Sequence, residues 1–215
     1  MSIESVKTPE NRDAWRGGKA IDEHLISIYG QSPEQILRPA MPGSLLVQTA
    51  VYKENDAKSK KNAWTYISYG NTEVDEKKSD VPEISGSGYE LVIRVEGDEQ
   101  TPPQWPTRLF EDLLNYSYDE GYAFSDNSIE EYDVDTGEAK VYGAVMFVPD
   151  EKISTFTGPN GSVRFLEVVP LTLEEYDALT KDEPQDDEYT KRAVILIQKK
   201  KAVRGPLLIT SPKGD

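Results

Sequence analysis

The chain has 215 residues, 39 acidic against 24 basic side chains (a formal net charge of −15), and no cysteine. Such a field repels phosphate backbones and anionic lipid surfaces and speeds encounter with cationic partners. Direct nucleic-acid binding, which begins with a basic face, is therefore not expected, and disulfides, thiolate zinc sites and cysteine nucleophiles are excluded.

The opening MSIESVKTPENRDAWRGG is polar and carries Pro9 and the pair Gly17–Gly18, so residues 1–18 read as a flexible arm without a signal-type apolar core. No run reaches the roughly 18 apolar residues of a membrane helix, which predicts a cytoplasmic protein with no membrane contact. No internal repeat or composition break divides residues 19–215, which read as a single domain. The first helix is predicted over about 19–29, with Ile21, Leu25 and Ile28 at helical spacing and Gly30 as its αL end. The single histidine, His24, borders that stripe as a boundary side chain, so histidine triads and multi-histidine metal sites lack material. SPEQILRPAMPG, with three prolines, reads as an extended connection.

Leu45, Val47 and Val51 predict a half-buried strand over 45–51 with these side chains on one side. KENDAKSKKN follows as a charged loop, then AWTYISYG as a strand closed by glycine. Residues 71–87 form a long polar loop of the kind that is functional or mobile. In GYELVIRV, Tyr89, Leu91, Ile93 and Val95 face one way and Glu90 and Arg94 the other.

After the break at Thr101–Pro103, Pro106 suits a first helical turn. Leu109, Phe110, Leu113, Leu114, Ser117 and Tyr118 then keep helical spacing up to Gly121. An acidic segment, SDNSIEEYDVDTGEA, leads to VYGAVMFV, whose continuous apolarity predicts a strand covered on both faces. Two strands flank GPNG, with Asn160–Gly161 as the hairpin signal. Thr172 and Glu175 form a capping box at the start of a short helix. EPQDDEYTK reads as solvated, AVILIQ as strand or helix, and GPLLIT as a last extended segment.

Asp133, Asp135, Gly137 and Glu138 invite a calcium reading, but an EF-hand loop requires oxygen ligands at positions 1, 3 and 5 and glutamate at 12. Here those last two positions are Gly137 and Ala144, so the segment is a solvated acidic turn. GSGYE precedes a strand and not the helix a phosphate loop needs, so its glycines admit the chain tightly into the sheet. Carboxylate pairs could serve a hydrolase, yet among so many acids none is singled out, and no cofactor or metal is implied. Trp64, Tyr66, Tyr69, Tyr89, Trp105, Tyr116, Tyr118, Tyr122 and Phe124 form an aromatic cluster in the sequence. Trp64 and Trp105 read as core, whereas Tyr122 and Phe124, beyond the helix, suit either core or a recognition surface.

WTYISYG, SGSGYELVIR, the PPQWP run, GPNGSVRFLEVV and GPLLIT follow in order and, from about Leu25 to Thr210, resemble the Suppressor of fused family. The resemblance implies an α+β fold, a mixed, largely antiparallel sheet flanked by helices as in the family's N-terminal domain, with AVILIQ helical. It implies protein binding and no catalysis. Eukaryotic members clamp a short peptide between this domain and a second one, largely by strand addition. This chain stops where the second domain would begin, so no clamp is expected. The family's contact tyrosine falls at Tyr116, its phenylalanine at Phe124 and its aspartate near Asp126 or Asn127, in a loop one residue shorter here. Single-domain members are typically bacterial, and many resemble immunity proteins encoded beside secreted toxins; the −15 charge suits a basic toxin domain. The expected partner-binding set is Tyr116, Tyr122, Phe124, Asp126, Asn127, Glu130, Glu131 and Asp133. The rival reading is a regulatory adaptor that captures an extended peptide at a sheet edge.

Overall fold

The structure, a computed structural model, describes residues 14–55, 62–96, 101–135, 142–180, 187–204 and 209–210. The chain runs α1 (Arg16–Tyr29), β1 (Gln35–Leu37), β2 (Gln48–Asn55), β3 (Asn62–Tyr69), β4 (Ile84–Glu96) and α2 (Trp105–Glu120). It continues through β5 (Ile129–Glu131), β6 (Ala144–Pro149), β7 (Phe156–Gly158), β8 (Gly161–Leu171), α3 (Leu173–Thr180), α4 (Asp187–Arg204) and β9 (Ile209–Thr210). Among the described residues, nine strands form one sheet in the order β1-β2-β3-β4-β8-β6-β5, with β7 beside β8 and β9 beside β4. All pairs are antiparallel except β4 with β8 and β4 with β9, so the sheet is mixed and largely antiparallel as expected.

Strand alternation sends side chains to two covered faces. Tyr89, Leu91, Ile93 and Val95 of β4 meet Leu109, Phe110, Leu113 and Leu114 of α2, with Trp64, Trp105 and Phe147 filling the same layer. On the opposite face, α1 buries Ile21 and Leu25 over Tyr52, Ile67, Tyr69 and Phe165. Further along that face, Tyr189, Ala193 and Ile197 of α4 join Leu179 of α3 over Met146 and Leu171. Their four-residue spacing is helical, which settles AVILIQ as helix and leaves Val194 and Ile195 exposed.

β4 also turns charge inward, toward α1. Arg94, 6 % exposed, bonds Asp150 Oδ2 at 2.5 Å and Glu167 Oε1 at 3.0 Å through one nitrogen, and Asp150 Oδ1 at 3.1 Å through another. Fully buried Glu90 accepts from Ser68 Oγ (2.5 Å), Thr72 Oγ1 (2.6 Å) and the Gly70 and Thr72 amides (3.1 and 3.0 Å). Burial pushes its carboxyl up, against the pull of these bonds, to about 7.

The segment 71–87 is tied by Glu73, which accepts from the amides of Lys78 (2.6 Å), Ser79 (2.5 Å) and Gly86 (3.3 Å) and pairs with Lys77 at 3.2 Å. Burial opposes its charge, but these donors together hold its pKa down to about 2. Gly86, at φ 53, sits in the irregularity between the Ile84 and Tyr89 pairings, where a Cβ would lie 2.7 Å from the Asn71 carbonyl. The glycines of GSGYE thus serve close packing, and Gly86 and Gly88 lie within a strand.

Several boundaries differ from the sequence reading. Helix α1 begins at Arg16, inside the expected arm, because the Gly17 and Gly18 amides find the carbonyls of Asp75 (3.4 Å) and Val74 (2.8 Å). Residues 1–13 lie outside the described residues, as do the loop core 56–61, the tip of the acidic segment (136–141) and 181–186. Strand β2 starts at Gln48, and Val47 packs with the α1-side cluster while Leu45 and Val51 lie on the α2 side. The expected single side fails because period-two alternation applies only once pairing begins. Gly158 pairs with Gly161, so Pro159–Asn160, and not Asn160–Gly161, form the centre of the β7–β8 turn. Proline's fixed φ suits position i+1 of an ordinary turn and excludes the primed type. Tyr118 is 71 % exposed because the last turn of α2 overhangs a cleft and not the core. The capping box is present: the Thr172 amide donates to Glu175 Oε2 at 3.0 Å and the Glu175 amide to Thr172 Oγ1 at 3.2 Å.

Candidate partner-binding face

Helix α2 ends in a Schellman motif. Gly121 adopts φ 73, its amide donates to the Tyr118 carbonyl at 3.1 Å, and the Tyr122 amide donates to Ser117 at 3.1 Å. Ser117 Oγ adds a bond to the Tyr122 carbonyl at 2.5 Å. This reversal brings Tyr122 back over Tyr116, edge to face, with centroids 6.0 Å apart. Both rings are over a third exposed (38 and 39 %), which leaves them available to a partner. Burial, hydrogen bonding to Tyr116 and Glu130, and the Glu130 charge hold the Tyr122 phenol well above its ordinary range. Burial raises the Glu130 carboxyl, and the bond with Tyr122 partly offsets this.

Phe124 corrects the expected set. It is 1 % exposed, stacks on Phe147 at 4.0 Å and 10°, and receives Tyr122 edge-on at 5.9 Å. Its amide donates to Tyr89 OH at 3.1 Å. Phe124 therefore lies in the core beneath the Tyr122 ring and not on the exposed surface. Its ring is turned toward β6, where Phe147 stacks on it.

The remaining expected residues divide between surface and scaffold. Asp126 is held by Arg164 at 2.6 Å, and Arg164 also donates to the Phe124 carbonyl at 3.2 Å and lies 5.7 Å from the Tyr89 ring centre. Asn127, at φ 65, uses its backbone: its amide donates to Phe147 (2.7 Å) and its carbonyl accepts from Tyr189 OH (3.0 Å). Glu130 and Glu131 lie on β5, the last strand on this side of the sheet. Ser128 and Tyr132 bond inward toward β6, so alternation turns the backbone groups of Ile129 and Glu131 outward. Glu131 is exposed and reaches Tyr176 OH at 3.5 Å, while Asp133 is exposed beyond the strand. Tyr116, Tyr122 and Glu130 thus form one contacting group beside an outer sheet edge.

Two features were missed in the sequence. Arg164 stands opposite Tyr89 in the parallel β4–β8 register, and its only sequence signal is a cation alternating with Val163 and Phe165. A cleft of about 510 Å³ lies between the C-terminal end of α2 and the turns at 70–73 and 86–87, with Leu45, Tyr118 and Tyr122 in its walls. The length of the polar loop 71–87 is the signal that pointed nearest to it. Among the described residues no cluster of His, Cys, Asp or Glu could hold a metal ion, and no helix is long and apolar enough to cross a membrane.

A family model of the Suppressor of fused protein matches residues 45–211. The chain belongs to the Suppressor of fused family. Its fold matches the structure of a Sufu–Fu complex with TM-score 0.77 at 18 % identity, covering 94 % of this chain and 92 % of that one. Drosophila Suppressor of Fused gives 0.65 at 18 % identity over 93 % of this chain and 58 % of its own. A SUFU homologue from Neisseria gonorrhoeae FA 1090 gives 0.57 at 14 % identity over 90 and 93 %. No curated protein sequence matches. The α+β architecture is the Suppressor of fused N-terminal-domain type expected from the motifs.

Proposed function

We propose that this chain is a non-catalytic protein-binding module whose partner rests on the end of α2, residues 122–135 and the outer edge of β5. The observation that carries this reading is the exposed Tyr116–Tyr122 pair joined to Glu130 beside β5, the outermost strand among the described residues. Exposed tyrosines supply anchor area at low entropic cost, and an outer strand supplies main-chain bonds. One neighbour in fold is a Sufu protein in complex with Fu, which supports a binding role for this architecture.

The finer reading is a bacterial immunity protein acting in the cytoplasm, which occludes a basic toxin domain. Its support is the net charge of −15 together with exposed Glu131 and Asp133 on this face. An acidic face of this kind raises the association rate with a cationic partner. Capture from native lysate at low and at high salt identifies the partner, and stopped-flow kinetics then compare the wild type with Glu130→Lys/Glu131→Lys/Asp133→Lys. Slower association with little change in dissociation is expected; an unchanged association rate refutes this surface. The second reading, an adaptor for an extended peptide, is favoured by the position of β5 at the sheet's end, and it predicts binding nearly independent of salt.

A further inference from the structure

We infer that the cleft beside α2 is a receptor for an arginine or lysine side chain of the partner, a cation pocket adjoining the Tyr116–Tyr122 face. This rests on the reading of that face as the partner side and adds to it the chemistry of one contact.

Six amide donors of the cleft walls are consumed internally: Gly70 and Thr72 on Glu90, Gly86 on Glu73, Ser87 on the Asn71 carbonyl (3.0 Å), and Gly121 and Tyr122 on α2 carbonyls. The Thr72 hydroxyl is likewise spent on Glu90. An anion entering here finds few donors. What the walls present is acceptors and rings. The end of α2 contributes the negative pole of its dipole, its Ser117 and Tyr118 carbonyls already accepting from the Tyr122 and Gly121 amides.

Tyr118 and Tyr122 both line the cleft, and an aromatic face attracts a guanidinium or ammonium. No lysine or arginine is among the lining residues, and the carboxylate in the wall, Glu73, stays ionised with its charge already met by Lys77. Leu45 and Leu114 add apolar wall for the methylene stem of a long cationic side chain. The opening, about 510 Å³, admits such a side chain without rearrangement of the described residues. A long cationic side chain of a basic partner therefore has a located seat, distinct from the β5 edge.

The test needs no partner. ¹⁵N-labelled protein is titrated with acetyl-triarginine amide, and separately with the neutral isostere acetyl-tricitrulline amide, at physiological salt where the screening length is about 8 Å. Saturable shifts at the amides of Thr72, Gly86, Gly121, Tyr122 and Ala123 are expected with the arginine peptide and not with citrulline. Ala123→Lys and Tyr118→Lys, at exposed positions, each weaken that binding about tenfold or more without altering the fold. Equal shifts with citrulline, no saturation, or shifts scattered over the acidic surface overturn the pocket. If the cleft stays silent while the triple charge reversal at Glu130, Glu131 and Asp133 still slows partner association, the pocket is refuted and the face stands. If the pocket responds and the reversal has no effect, the face is refuted and the cation seat stands alone.

Discussion

Replacing Arg94 with methionine should be among the most damaging single changes in this protein. The guanidinium is 6 % exposed, and one of its nitrogens contacts carboxylates of both Asp150 (2.5 Å) and Glu167 (3.0 Å). Burial opposes its charge, but Glu167 and Asp150 overcome this and hold it firmly protonated. Methionine fills most of the volume and leaves two carboxylates facing each other in a buried site. Removing one partner of a buried ion pair costs about 3–5 kcal/mol. At about 2–4 °C per kcal/mol for a chain of this size, the melting temperature should fall by roughly 6–20 °C. The loss also has a pH signature. Two like charges sharing a buried site raise the pKa of one of them in the folded state. A raised folded pKa gives stability that is present below the unfolded value and lost as pH rises, so the deficit of Arg94→Met should shrink on acidification. Adding Glu167→Gln should restore part of it at neutral pH. Urea unfolding followed by circular dichroism, from pH 4.5 to pH 8, measures both effects. A loss under about 1 kcal/mol, or a deficit that is the same at both ends, would falsify the view that Arg94 neutralises a buried carboxylate pair.

Glu90→Gln probes the second buried acid. With a folded pKa of about 7 against an ordinary 4.5, the wild type should lose stability as pH rises between those values, by up to about 3 kcal/mol, and the glutamine variant should not. Parallel pH profiles of unfolding for the two proteins would rule this out. Phe124→Ala should cost about 3–5 kcal/mol as a core truncation. Tyr122→Ala should leave stability within about 1 kcal/mol and weaken partner binding by about 2 kcal/mol or more; titration calorimetry beside thermal melts separates the two, and the reverse pattern would return Phe124 to the contact surface. Gly121→Ala meets no atom within 4 Å and suffers only the left-handed backbone, about 1 kcal/mol by urea unfolding, while Gly121→Asn should lose less. A cost several times larger would mean that something other than φ governs this helix end.

Local patterns were readable wherever a short-range rule acts alone. The alternation from Tyr89 to Val95, the helical spacing from Leu109 to Leu114, the glycines after α1 and α2 and the Thr172–Glu175 box all appear as expected. Tyr116 was singled out only by the family resemblance and Tyr122 as an aromatic beyond the helix end; that the two rings meet follows from the reversal at Gly121. Phe124 was not legible as core, since an aromatic two residues past a helix end can turn outward or inward. Its direction was decided by the ring of Phe147, which reaches it through a strand formed twenty residues later.

By itself the sequence determined the kinds and order of most elements and the absence of thiol chemistry, because composition and periodicity constrain each segment independently of its neighbours; the family came from the resemblance of its ordered motifs. Tertiary structure alone decided the parallel pairing of β4 with β8, and with it the placement of Arg164 beside Tyr89 and Asp126. It alone buried Glu90 and Arg94, two charges on a face that alternation marks only as opposite to the apolar one. It alone opened the cleft, whose walls come from residues 45, 70–73, 86–87 and 114–123. The physical reason is common to all three: pairing partners distant in the chain are selected by summed burial and hydrogen bonding over the whole sheet, and no local pattern encodes that sum.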